Sequence, residues 1–584
     1  MLRQRIERAL SYAGLAALAI AVGLNRLGDF DGPWHLSGGR KILQDWALPK
    51  VDWLGQAGRP IVHQDWLGDV ALYGFYRLGG DVGLQVFIAL AAFALALIVT
   101  RQARATGVLA PVFGAAAVFA SRAWLLERPA TLSFAMLALL MLLIDRAREA
   151  GGRRWLLALP PLMLVWASTH GFGIVGVAIV VAFAGYTVVS RVTIGTRWRR
   201  FVEPADAALA PAALATAALV VGAVLAMPAG IRYFIGPTLA FRDAGLVTEW
   251  ARPDLAFWAN EPLALGLPLS FAAGALLPRG AAPSYRVWSR LVLAVSAAVA
   301  FTATRMTPVS AILGLPALAA VVGARLRLSP AGSRWLPGLL LLLACATSVL
   351  FPYTSLGLGR FAAHFPEGAV RWIQAAHPAG PMYNFPPFGG WLGFRLAPEH
   401  KVFLDGRTGW VHDPEESSLG MRAAFDDGAW REVTARHGFS YAVVRASPEE
   451  QLGAPTAADR GWALVFLDDV GAVYVRRDGP DAALAADGYQ VLRHLIDPND
   501  LAVALLGGRI PLDALRHDAA LAVAQAPDSE RAWFVSALAA LASRDEAALA
   551  EARARLAVMD GTEQLLTSLG EIEAAFRKSH GAMP

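Results

Sequence analysis

Apolar runs near bilayer-spanning length recur through the first 351 residues of this chain, and that recurrence leaves few folds open. About eleven are legible, at roughly 9–28, 82–100, 107–121, 130–145, 155–169, 172–190, 207–227, 262–277, 290–304, 308–324 and 336–351. Inside a bilayer the backbone must satisfy its own hydrogen bonds, so each run is read as a helix. Composition agrees. Of 584 residues, 56% are hydrophobic and only 17% charged, with a mean hydropathy of +0.44, whereas a soluble domain carries about 25% charge. The opening basic stretch and apolar run imitate a secretory signal, but no convincing small-residue cleavage site follows. That segment is read as an uncleaved first helix.

Arginine sets the orientation. Connections on the side of Arg3, Arg5 and Arg8 carry Arg101 and Arg104, then Arg146, Arg148, Arg153 and Arg154, then Arg191, Arg197, Arg199 and Arg200. Further on they carry Arg279, Arg286, Arg290, Arg325, Arg327 and Arg334. The alternate connections hold acids, histidine and aromatics instead. By the positive-inside rule the N-terminus is cytoplasmic, and an odd number of spans puts the C-terminal part outside. The net charge of +5 is small and its basic residues sit in these loops, which is a topology signal and excludes a nucleic-acid footprint. The single cysteine, Cys345, lies in an apolar run and excludes an intrachain disulfide.

Past Pro352 the pattern becomes that of a water-soluble domain. Over 352–480 the spacing predicts helices at 368–376 and around 416–437, strands at 381–385, 401–407 and 441–446, and a hairpin within 462–477. Strand and helix alternate, so a small α/β domain is expected. From 481 to 584 the chain is Ala- and Leu-rich with helical spacing. Its 532–561 portion reads as a helical hairpin of tetratricopeptide type, without a clean repeat period. The fold class is therefore an α-helical polytopic membrane protein (1–351) with an extracytoplasmic α/β domain and a helical tail.

Chemistry gathers in the first outer loop, 29–69, which holds Asp29, Asp31, Asp45, Asp52, Asp65 and Asp69 with His35 and His63. Two carboxylates two residues apart just outside a membrane helix suit a general base or a metal ligand; Asp31 is the stronger candidate and Asp29 the second. On the same side fall Glu127, Arg128, His170, Glu249 and Arg305, all at or just beyond span ends. They are placed to converge on one interfacial cavity. An arginine fork suits phosphate, which makes Arg128 and Arg305 candidate phosphate ligands; the plain alternative is headgroup contact. His35, His63 and His170 are positioned to join the aspartates at a divalent cation, Mg2+ or Mn2+, with Asp29, Asp31 and His35 the first candidates; the plain alternative is hydrogen-bonded interfacial histidines. In the outer domain Asp405 and Arg407 close a strand end, where ligands or simple turns are both common. Ionisable residues are missing from mid-span, which disfavours a conduction path. No phosphate-cradling Gly-Lys loop and no nucleophile elbow occurs, so neither an NTP-driven pump nor a serine hydrolase is indicated.

Taken in order, these residues resemble a bacterial group of GT-C-type glycosyltransferase-like membrane proteins. The resemblance rests on Asp29-x-Asp31, Trp34-His35, Pro49-x-x-Asp52, His63-x-Asp65-Trp66-Leu67, Arg128-Pro129, Trp166-x-x-x-His170-Gly171, Glu249-Trp250, Arg305, Phe388-Gly389-Gly390-Trp391-Leu392 and Asp405-Gly406-Arg407. It runs from about residue 25 to 445. The wider superfamily includes protein O-mannosyltransferases, the lipid A aminoarabinose transferase and oligosaccharyltransferases. The resemblance implies Asp31 or Asp29 as the acceptor-activating base or metal-binding acid, and Glu127 as the acid of the second outer loop. It also implies a sugar donor on a polyprenyl phosphate or diphosphate, with Arg128 and Arg305 at the phosphate. There are departures: Asp-Phe-Asp stands where many relatives have Asp-Glu, position 65 is Asp where Glu is usual, and the oligosaccharyltransferase WWDYG motif is missing. Peptide-asparagine transfer is thereby disfavoured.

The expected function is an inverting glycosyltransferase of the bacterial inner membrane, with a glycan, lipid or protein acceptor on the outer face. Two other readings stay open: a non-catalytic scaffold for envelope polysaccharide, and a polysaccharide polymerase, ligase or flippase. The helical tail suggests a protein partner; no nucleic acid is implied. The topology has a direct test. In a Cys345→Ser background, Gln56→Cys is expected to react with a membrane-impermeant maleimide in intact spheroplasts, and Arg153→Cys only after permeabilisation. The reverse pattern would invert the orientation.

Overall fold

The structure, a computed structural model, describes residues 2–197, 202–235, 248–276, 287–325, 339–340, 355–407, 411–559 and 561–580. The chain forms two compact units. The first comprises Met1–Lys50 and Ile61–Phe361, the second Val51–Pro60 and Ala362–Pro584.

In the first unit the first ten expected apolar runs fall on helices, and of the eleventh only 339–340 are described. The helices that position the site are α1 (Leu2–Gly23), α2 (Gly32–Asp45), α3 (Trp66–Gln102), α4 (Ala110–Ser121), α5 (Ala130–Ala147), α6 (Leu159–Thr169) and α7 (Gly173–Thr193). Among the described residues four helical segments are long and apolar enough to cross a membrane: Trp66–Gln102, Ala130–Ala147, Gly173–Thr193 and Thr304–Val321.

The first outer loop is less irregular than its composition suggests. Pro33 stands in the first turn of α2, where its missing N–H costs nothing and its fixed φ favours helix. Asp31 takes the N-cap position beside the positive end of the helix dipole, though its carboxylate makes no capping hydrogen bond and turns to Arg128 and Trp34. α2 lies against the start of α3 through Gly38 and Gly39; a β-carbon on either would run into Asp69. α3 begins sixteen residues earlier than the expected span (82 − 66) and breaks at Gly79–Gly80, where Gly80 has φ +56. Its first half carries Asp69, and its second half is the apolar span. Residues 24–27, just after α1, pair with 355–361: Arg26 N–H donates to Ser355 O at 2.7 Å and Phe361 N–H to Leu27 O at 2.7 Å. Gln85 locks this junction, its Nε2 donating to Asn25 O and Gly357 O at 2.9 and 2.8 Å.

The second unit is built on a four-stranded sheet of order β1-β2-β4-β3, with β1 (Met382–Asn384), β2 (Tyr441–Arg445), β3 (Trp462–Leu467) and β4 (Gly471–Arg476). β1 runs parallel to β2, Tyr383 opposite Ala442; β2–β4 and the β3–β4 hairpin are antiparallel. Helices Glu367–Ala376, Pro414–Arg422 and Asp427–His437 surround it, two helices standing where one was expected near 416–437. Helices Glu530–Ser543 and Glu546–Ala557 pack on each other in the tail, and their buried Phe534, Leu538 and Leu549 join the same core as β2–β4.

The strand expected at 401–407 does not form. Asn384 takes its hydrogen bonds instead: Oδ1 accepts from Phe403 N at 2.8 Å, and Nδ2 donates to Leu404 O at 2.8 Å. Val402 pairs only with Gly55. Beyond it, Arg407 sits buried between Asp405 and Asp52, its Nη2 2.6 Å from Asp405 Oδ2 and its Nη1 2.9 Å from Asp52 Oδ1. His412 Nε2 lies 3.1 Å from Asp405 Oδ1. Burial works against ionisation of Asp405, but Arg407 and His412 outweigh it and hold the carboxyl far below the usual range. Asp52 also accepts from the backbone N–H groups of Leu54 and Gly55. These contacts read as an anchor for hairpin 51–60. Replacing Arg407 by Met would strand two buried carboxylates and is expected to lower stability by roughly 3–5 kcal/mol, visible as a fall in the unfolding midpoint; an unchanged midpoint would refute the anchor.

Candidate functional site

The turn between α4 and α5 is held by Thr131, whose hydroxyl accepts from Leu126 N–H at 2.9 Å and donates to Leu126 O at 2.6 Å. Pro129 then opens α5. This rigid turn presents Glu127 and Arg128. Arg128 meets three carboxylates from two distant segments: Nε is 2.8 Å from Asp29 Oδ2, Nη1 3.1 Å from Asp31 Oδ2 and Nη2 2.7 Å from Glu249 Oε1. Glu249 reaches Arg305 Nη1 at 3.5 Å with its other oxygen. Thr304 fixes the same pair of turns, donating from Oγ1 to Glu249 O at 2.9 Å and from N to Ala251 O at 3.0 Å. The Arg305 guanidinium lies over Phe172 at 4.9 Å and over Trp250 at 4.6 Å.

Beneath this layer Glu127 is buried, 1% exposed. Its Oε1 accepts from Asp29 N–H at 3.1 Å and stands 3.7 Å from Arg360 Nη1. Arg360 in turn reaches Asp81 at 2.7 Å. Five carboxyl groups, Asp81 included, thus share three guanidiniums. The imbalance shows in the proton affinities. Burial pushes Asp29 up to about 6 although Arg128 pulls the other way. Burial, then the neighbouring charge of Asp29, pushes Glu127 up to about 7. Burial also opposes ionisation of Glu249, but Arg128 and Arg305 outweigh it and hold that carboxyl low. Asp31 is the most open of the set, its side chain 31% exposed.

Asp29, Asp31, Glu127, Arg128, Glu249 and Arg305 are therefore brought together as the sequence suggested. The histidines fall otherwise. His35 Nδ1 lies 2.6 Å from Asp69 Oδ1 and His63 Nε2 2.7 Å from Asp69 Oδ2. Asp65 is beside them, pushed up to about 6 by burial, with one buried oxygen that finds no hydrogen bond among the described residues. His35 is thus committed to Asp69 and does not join Asp29 and Asp31. Among the described residues no group of three or more His, Cys, Asp or Glu is arranged to hold a metal ion. Arg128, expected at the phosphate, is engaged by three carboxylates; a phosphate there would displace one and leave it half-buried without its counter-charge. His170 borders the Arg128 group, within electrostatic reach of Arg305, His35 and Arg128.

Two residues were given no role by the sequence reading, Asp69, named only among the acids of the first loop, and Arg360. Asp69 stands one turn into α3, a spacing from Asp65 that marks one helix face. Arg360 carried no local signal; only the pairing of 24–27 with 355–361 brings it to Glu127. The carboxylates converge on guanidiniums, with little open space. A cavity of about 10 Å3, room for roughly one water, is bounded by Trp124, Arg128, Phe172, Glu249 and Arg305. A larger cavity of about 350 Å3 lies at the other ends of α3 and α5, among Gln102, Asp145, Arg148 and Trp288. Size favours the second and chemistry the first; converging ionisable groups are the better guide to a reactive site.

No known protein family and no curated protein matches this chain by sequence. Solved structures do resemble it. The oligosaccharyltransferase of Archaeoglobus fulgidus, tethered to an acceptor peptide, is 12% identical with a TM-score of 0.49, over 81% of this chain and 74% of that one. The same organism's oligosaccharyltransferase AglB, with an inhibitory peptide and a dolichol-phosphate, is 12% identical with a TM-score of 0.47, over 99% and 86%. ArnT of Cupriavidus metallidurans, bound to undecaprenyl phosphate, is 14% identical with a TM-score of 0.33, over 80% and 97%. These neighbours are GT-C glycosyltransferases, the superfamily the sequence resembles. At such identities and TM-scores the likeness carries no argument about chemistry.

Glu127 gives this site a pH signature. Its carboxyl is raised above the ordinary 4.5, so the folded state binds more protons than the unfolded one between 4.5 and about 7. Stability from this group is therefore full at the acid end and lost as pH rises through that window. Glu127→Gln is expected to flatten this part of the decline in the unfolding midpoint; an unaltered slope would contradict the assignment.

Proposed function

We propose that this chain is an inverting glycosyltransferase that moves a sugar from a polyprenyl-phosphate carrier to a glycan, lipid or protein acceptor at the outer face of the bacterial inner membrane. One observation carries the reading: Asp31, the most open member of the carboxylate set, is held in place by Arg128 while Arg305 stands one carboxylate away. Asp31 accepts a hydrogen bond from the acceptor hydroxyl and takes its proton as the oxygen attacks the anomeric carbon. The bond from that carbon to the carrier phosphate breaks, and its electron pair leaves with the phosphate. Arg305 meets the charge that develops there. Arg128 orients Asp29 and Asp31, and Glu127 with Arg360 supports them from below. A divalent cation takes no step here, because Asp29 and Asp31 are held by Arg128 while His35 is held by Asp69.

In this reading the second unit lies outside the membrane and selects or holds the acceptor, and its helical tail, tetratricopeptide-like in spacing, receives a protein partner. The test is turnover of a radiolabelled polyprenyl-phosphate sugar by purified protein. Asp31→Asn is expected to reduce turnover at least about a hundredfold in a folded protein, and Asp29→Asn to reduce it less. Equal turnover by Asp31→Asn removes Asp31 from the chemistry. No turnover by the wild type across a panel of carriers puts the scaffold reading ahead.

A further inference from the structure

His170 ends α6 in extended backbone, two residues before Phe172. The Phe172 backbone N–H donates to His170 Nδ1 at 3.2 Å. An amide N–H can only donate, so Nδ1 holds a lone pair and the ring proton is on Nε2. Ser133 reinforces that tautomer. Its Oγ accepts from Trp166 Nε1–H at 3.0 Å and stands 3.2 Å from Nδ1, so its own hydrogen is free to point at the imidazole. Tyr233 clamps the turn, donating to His170 O at 3.2 Å. A proton on Nδ1 would break this arrangement; burial and then the charge of Arg305 hold the imidazole well below the ordinary histidine range. His170 is therefore a neutral donor through Nε2–H.

Among the described residues no hydrogen bond is made by His170 Nε2–H, and Arg305 Nε is buried without a hydrogen-bond partner. Both groups flank one ring: Arg305 stands over Phe172, and His170 meets it edge to face with centroids 5.2 Å apart. Among the described residues Arg305 makes one ion pair, with Glu249 at 3.5 Å, whereas Arg128 is matched by three carboxylates. Two unengaged N–H donors beside one ring suit one compact acceptor group.

We propose that His170 Nε2–H and Arg305 form a two-donor seat for a single phosphoryl group. This rests on the reading above, in which the seat takes the leaving phosphate of a polyprenyl monophosphate carrier. His170 keeps its proton throughout: the anomeric C–O bond breaks, the electron pair settles on the phosphate oxygen, and the neutral N–H bonds to it without protonating it. A diphosphate brings charge for which Arg128 is not free. His170 is thus a specificity-determining donor for the monophosphate.

Two probes separate the seat from the carrier. Binding of inorganic phosphate, and of a polyprenyl phosphate and its diphosphate counterpart in micelles, is measured for wild type, His170→Leu, His170→Gln and Arg305→Lys. His170→Leu is expected to weaken inorganic phosphate and the monophosphate carrier about tenfold. His170→Gln, which keeps a distal N–H, should stay within about threefold, and the wild type should bind the diphosphate no tighter than the monophosphate. Arg305→Lys keeps the charge, loses Nε–H, and should weaken both by several fold; it decides the question if His170→Leu does not fold. Unchanged phosphate binding in a folded His170→Leu or Arg305→Lys overturns the seat. So does His170→Gln failing as badly as His170→Leu, or a clear preference for diphosphate. Phosphate binding that depends on His170 while neither carrier binds keeps the seat and sinks the glycosyltransferase reading.

Discussion

The guanidinium of Arg128 is the interaction on which the rest of the site depends. It joins a turn at the start of α5 to carboxylates 97 residues before it and 121 residues after it. Asp29, Asp31 and Glu249 would repel one another in the half-buried layer where they lie, and only a planar cation with several donors can satisfy three of them at once. Because Asp29 and Glu127 still face each other below, one guanidinium is not enough. Burial is what lifts those two carboxyls towards neutrality, with the charges of neighbouring carboxylates adding to it, and Arg360 works against the rise at Glu127.

This explains why the site is dense. A ligand pocket for a small molecule runs to about 300–1,000 Å3, and the space beside Arg305 is about 10 Å3. The side chains of this layer are spent on one another instead of on open space.

The second unit shows the same economy with charge. Hairpin 51–60, part of the acidic loop by sequence, belongs to this unit and is held by Arg407 between Asp52 and Asp405. Asn384 replaces a strand with a side chain, satisfying three backbone groups of 385–404 that a neighbouring strand would otherwise have paired. Both devices fix irregular backbone in a buried place, where unsatisfied polar groups are costly.

The amino-acid sequence by itself determined the helical runs, including segments apolar and long enough to cross a membrane, and the β3–β4 hairpin. All of these follow from local periodicity, charge alternation and turn chemistry, which need no knowledge of distant contacts. It also named Asp29, Asp31, Glu127, Arg128, Glu249 and Arg305 as residues of one side. Tertiary structure alone decided that Asp29, Asp31 and Glu249 meet at Arg128 with Arg305 beside them, that His35 goes to Asp69 instead of to Asp31, that Arg360 sits under Glu127, and that 401–407 is not a strand. Each of those outcomes is a choice among alternative ion-pair or hydrogen-bond partners scores or hundreds of residues apart. Spacing along a chain carries no information about such choices; burial makes them, by penalising every charge and every backbone group left without a partner.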